Sequence, residues 1–112
     1  MNIEQLRTCA LSLPGTSEEP HFNYGSFRVK GKIFATVPPD GKFAHIFLDD
    51  EQRDLAVALH PECAEMLTWG KKAIGVRVFL PKAKTAFVHG LVRKAWMRKA
   101  PKSLANSLQA AM

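Results

Sequence analysis

No acidic residue follows Glu65 in this 112-residue chain, and that absence is the most informative feature of its composition. Other things are missing too. No stretch approaches the roughly 18 apolar residues needed to cross a bilayer. The chain opens Met-Asn-Ile-Glu-Gln-Leu-Arg, with an acid and amides where a signal peptide carries basic charge. A cytoplasmic protein without membrane contact is expected. Only two cysteines occur, Cys9 and Cys63, widely separated and with no Cys-x-x-Cys pair. In a reducing compartment they are expected as buried free thiols rather than as a bridge.

The motifs of common enzymes are absent as well. Gly70-Lys71-Lys72 is not a phosphate loop, because Glu65 stands where its first glycine belongs and Lys72 where Ser or Thr would follow. His60 and Cys63 are the only pair at a spacing a metal uses, and a metal site needs three or four ligands. His21, His45 and His89 fall on different elements and read as surface or boundary residues. Asp49, Asp50, Glu51 and Asp54 gather at a helix start, where the helix dipole accounts for them. The expectation is a protein that is not an enzyme, with no catalytic residues, no cofactor and no metal.

What is present is an ordinary globular composition, 46% hydrophobic and 23% charged, over a length that suits one domain, residues 1–112. Asn2 and Gln5 form a capping pair before Leu6, Cys9, Ala10 and Leu13, which predicts a helix over residues 3–12 that Pro14-Gly15 stops. A polar loop then runs through Pro20. From Phe22 to Val37 the pattern has period two, giving two strands joined at Lys30-Gly31-Lys32. After the turn Pro38-Pro39-Asp40-Gly41, Lys42 to Leu48 completes a three-stranded meander. Asp49 and Gln52 cap a second helix over about 50–60, with Leu55, Ala58 and Leu59 as its apolar face. Residues 62–69 are ambiguous between strand and helical turn. Ile74 to Leu80 alternates as a strand. Val88, Leu91, Val92, Ala95 and Trp96 make one stripe of a helix over 83–99, and Pro101 opens a last helix ending near Ala111. The fold class is therefore α+β: two layers, an antiparallel sheet with helices on one face, in the order α-β-β-β-α-β-β-α-α.

Charge is segregated along this order. Residues 1–65 hold six basic residues against all ten acids, a balance of −4, whereas residues 66–112 hold ten basic residues and no acid, a balance of +10. A field of one sign attracts polyanions, nucleic acid above all. The alternative is that folding lays acidic helices beside basic ones and neutralises the field. Arg98, Lys99 and Lys102 are weak evidence, since cations suit a helix C-terminus for dipole reasons alone. Lys30, Lys32, Lys42, Lys71 and Lys72 project from turns, where they can reach phosphates. Lys71, Lys72, Arg77, Lys82 and Lys84 are expected to form one continuous surface with at least one hairpin tip. Arg28, Phe34, His45, Phe47, Arg77 and Phe79 also suit an open sheet face that mixes cations with rings. Strand parity allows those phenylalanines in the core equally, and the core is the favoured reading.

Leu13-Pro14-Gly15 with Glu18, Glu19 and Phe22, the run Phe27 to Ala35 (Phe-Arg-Val-Lys-Gly-Lys-Ile-Phe-Ala), Gly75-Val76-Arg77-Val78 and the closing Ala100-Pro101-Lys102-Ser103-Leu104 together resemble the MmcQ/YjbR family of small bacterial proteins. The chain departs from the family pattern at Ala73-Ile74, where many relatives carry a bulky residue. The resemblance implies an α+β fold similar to that of CyaY and of secretion chaperones, and DNA binding through a double-wing arrangement of the sheet. The resulting expectation is a DNA-binding protein that contacts phosphates with little sequence preference. Its contact residues would be Arg28, Lys30, Lys32, Lys42, Lys71, Lys72, Arg77, Lys82 and Lys84. The alternative is a protein-interaction module of the secretion-chaperone kind, with a protein partner.

Overall fold

The computed structural model describes residues 1–110, with side chains described as far as Leu108. Helix α1 (Ile3–Leu11) starts at the expected capping box: the Gln5 N–H donates to Asn2 Oδ1 and the Asn2 N–H to Gln5 Oε1, each at 2.9 Å. Six strands follow in sequence, β1 (Thr16–His21), β2 (Tyr24–Val29), β3 (Lys32–Val37) and β4 (Phe43–Phe47), then after α2 (Asp50–Leu59) β5 (Ala64–Trp69) and β6 (Lys72–Phe79). They form one antiparallel sheet in the order β1-β2-β3-β4-β6-β5. A 3-10 turn (Leu80–Lys82) leads to α3 (Thr85–Lys99) and then α4 (Lys102–Ala110); the end expected near Ala111 lies outside the described residues.

The element order differs from expectation at β1, which occupies the expected polar loop. An edge strand buries neither face fully and so shows no apolar alternation, and Pro20 is tolerated where only one side of the ladder is used. The ambiguous residues 62–69 become β5, the opposite edge strand. Helix α2 has the expected bounds but not the expected face. It buries Ala56 and Arg53, while Leu55 and Leu59 are exposed.

Helix α3 carries the sheet's cover. Its expected stripe Val88, Leu91, Val92, Ala95 and Trp96 is buried in one core with Phe27, Val29, Ile46, Val76 and Val78. The Trp96 Nε1–H donates to the Pro14 carbonyl at 3.1 Å, which ties the end of α3 to the turn after α1. Two bulges redirect side chains that parity alone would misplace. Phe27 faces Ala35 and Arg28 faces Ile33, so Phe34 is the extra residue of β3, and both Phe34 and Ala35 turn into the core. Leu67 faces Gly75 and Thr68 faces Ala73, so Ile74 is the extra residue of β6 and leaves the core row that Val76 and Val78 keep.

The sheet's other face carries Tyr24, Phe43, His45, Phe47, Arg77 and Phe79, none of them in the buried core. Phe47 and Phe79 are half-buried on that face. This corrects the expectation that they join Phe34 inside.

Candidate functional site

Strand direction decides which cations meet. Val29 pairs with Lys32 across a two-residue turn in which Lys30 and Gly31 both have positive φ, 50° and 80°, the signature of a type I′ hairpin. Trp69 pairs with Lys72 across Gly70-Lys71, with Gly70 at φ 61°. Phe47, at the end of β4, pairs with Gly75 near the start of β6, and β3 runs antiparallel to β4, with Ala35 opposite Ile46 and Thr36 opposite His45, so that its start lies at the same end. Both hairpin tips therefore leave the sheet at the same end. Their midlines lie three strand spacings apart, about 14 Å. The tips present Lys30 and Lys32 on one side and Lys71 and Lys72 on the other, all four exposed.

Helix α3 runs along the sheet and ends at this same edge. Its Arg98 and Lys99 join Lys72 and Trp69 around a groove of about 560 Å³ between the two hairpins. Ile33, Phe47 and Ile74 form its apolar part, and the Trp69 side stands 80% exposed. Asp49 and Asp50 also border it, but both carboxylates are engaged. Asp49 accepts the Gln52 N–H at 2.8 Å as the cap of α2, and Asp50 accepts Arg53 Nη1 at 2.6 Å. Arg53 reaches Asp54 at 3.0 Å and the Ala73 carbonyl at 3.4 Å, fixing α2 to the start of β6. Among the described residues, none of Lys30, Lys32, Lys71, Lys72, Arg98 and Lys99 forms an ion pair.

The other expected contact residues go elsewhere, and the expected single surface is divided. Lys42, Lys82 and Lys84 lie at the far end of β6, where the Leu80 N–H donates to the Lys42 carbonyl at 2.9 Å. The eight residues of β6 put roughly 23 Å between the two ends. At the far end the chain's ammonium group donates to the carbonyls of Leu80 and Ala83 at 3.1 and 3.2 Å. Arg28 and Arg77 sit on the open face in contacts of their own. Arg28 donates to Ser26 Oγ at 3.1 Å and to the Pro20 carbonyl at 3.3 Å. Arg77 pairs with Glu65 at 2.9 Å and lies 3.6 Å over the Phe43 ring. Beside it, burial and the Arg77 charge hold the His45 pKa below its ordinary value. Cys9 and Cys63 are both free thiols, Cys63 buried as expected and Cys9 only half-buried, and burial raises the pKa of each.

Sequence spacing does not mark Trp69, Arg98 and Lys99 as members of a site. The signal for Trp69 is its place directly before Gly70-Lys71-Lys72, masked by the ambiguity of residues 62–69. The helix dipole accounts for the two α3 cations but does not say what lies beside that helix end.

A model of the YjbR family matches residues 11–98. The chain belongs to that family. No curated protein matches it. Among solved structures, the YjbR domain here is similar to Deinococcus radiodurans protein DR2400, of the domain family DUF419. The TM-score is 0.75 over 96% of this chain and 88% of that one, at 20% identity, a likeness of fold.

Proposed function

We propose that this YjbR-family protein binds DNA without catalysing a reaction, holding phosphates at the end of the sheet where the two hairpins meet. The observation that supports this best is the convergence of four exposed lysines, from hairpins on either side of β4, beside Arg98 and Lys99. In this reading the hairpins act as a double wing. Lysines are point charges on flexible stems and favour phosphate over base edges, so affinity depends little on sequence. A protein partner is the second reading, favoured by the half-buried rings Phe43, Phe47 and Phe79 on the open face.

The test is titration against two unrelated duplexes at several salt concentrations. Four phosphate contacts give a slope of log affinity against log salt of about −3.6, and changing Lys71 and Lys72 to Ala reduces its magnitude by up to about 1.8. A strong preference for one duplex contradicts phosphate-dominated binding. No binding at low salt overturns the DNA reading and favours the protein partner.

A further inference from the structure

Trp69 is the largest exposed ring next to the lysine tips, and the fold gives it no core role. It stands 80% exposed on the last position of an edge strand, paired with Lys72 on one side and open on the other. Its ring walls a groove whose apolar part is Ile33, Phe47 and Ile74. Ile74 is there because of the β6 bulge, and Gly75 beside it lets β4 approach so closely that an added Cβ would stand 2.0 Å from the Ile46 carbonyl oxygen. The groove is thus an apolar slot bordered by free cations, with a flat ring at its mouth. Its volume falls within the roughly 300–1,000 Å³ of small-ligand sites. Phosphate contact alone explains none of these features, because a phosphate needs charge and not an aromatic wall.

We propose that the groove takes an unpaired base, stacked on Trp69, while Lys71, Lys72 and Arg98 hold the adjoining phosphates, so that single-stranded nucleic acid binds more tightly than duplex. A base within a duplex is stacked on both faces and has none to offer the ring, whereas an unpaired base does. The lysines around the slot supply charge complementarity to the flanking backbone. This inference rests on the nucleic-acid reading above and adds the form of nucleic acid that the site prefers.

The experiment compares a short oligothymidine strand, a strand of equal length with abasic sugars, and a duplex, by fluorescence anisotropy at constant low salt, with the wild type, Trp69→Ala and Trp69→Phe. Stacking on one ring is worth a loss of about 5- to 150-fold on removal. The expected result is that oligothymidine binds more tightly than duplex. Trp69→Ala should weaken the oligothymidine complex at least about fivefold and the duplex complex by a much smaller factor, and Trp69→Phe should retain most of the affinity. The abasic strand should bind the wild type as weakly as oligothymidine binds Trp69→Ala. Because Trp96 is buried, quenching of the exposed Trp69 emission should accompany single-strand binding and be absent with the abasic strand. If Trp69→Ala leaves single-strand affinity unchanged while both strand forms bind, the stacking inference is wrong and the phosphate reading stands. Absence of binding to every strand overturns both.

Discussion

The two ends of the sheet both carry lysines, yet they are built for different things. At one end Lys30, Lys32, Lys71 and Lys72 stand on two hairpin tips beside the α3 terminus and a groove. At the other, Lys42, Lys82 and Lys84 lie about the 3-10 turn Leu80–Lys82, whose Leu80 N–H donates to the Lys42 carbonyl. Charge count does not separate them. Convergence of tips does, because two hairpins pointing the same way can touch one backbone at several phosphates, while the other three cations come from one turn and the strand end beside it. The same strands that bring four lysines together hold the other three roughly 23 Å away.

Removing the scaffold common to both ends should have the largest effect. Trp96 is fully buried and bonded to Pro14, so Trp96→Ala is expected to cost about 3–5 kcal/mol in denaturant unfolding and to remove binding at either end through loss of fold. Gly75→Ala tests the close approach of β4 and β6 that sets the two tips at their spacing. Its Cβ meets the Ile46 backbone, and unfolding should show a loss of at least about 1–3 kcal/mol. A more local change sharpens the comparison without touching the lysines. Arg53→Met frees the Asp50 carboxylate bordering the groove, and Asp54 on the same helix, so duplex affinity should fall severalfold below wild type at low salt and the difference should vanish at high salt, as screening predicts. The far end should be indifferent to it.

The smallest expected effect belongs to the open face between the ends. Burial and the Arg77 charge lower the His45 pKa against a smaller opposing pull from Asp40, and Tyr24 and Thr36 lie beside the ring. Its folded pKa lies below its ordinary value of 6.5, so below that pH the unfolded chain takes up a proton that the native state resists. Stability should therefore decline as pH falls through about 6.5, and His45→Gln should flatten that decline. Unchanged pH dependence in the variant would show that His45 is not the group responsible.

Much of this fold was legible in the sequence because its signals are local. The Asn2–Gln5 box, the Asp49 cap and the α3 stripe each lie within a few turns of chain, and each appears where the spacing places it. The departures share a cause that spacing does not carry. Ile74 is a bulge residue, β1 is an edge strand, and α2 buries Arg53 in place of Leu55 where, besides Asp50 and Asp54 of its own helix, it meets the Ala73 carbonyl across the fold. The candidate site divides in the same way. That lysines project from turns is a local fact, but that two of those turns share one end of the sheet depends on a strand order in which β6 lies between β4 and β5.

The most direct test compares two lysine sets on one duplex. Lys30, Lys32, Lys71 and Lys72 are changed together to Ala in one variant, and Lys42, Lys82 and Lys84 in another, with affinity measured across a salt series. The hairpin-end account predicts that the first variant loses nearly all of a slope of about −3.6 and that the second keeps it. Equal loss in both variants, or loss confined to the second, would contradict it.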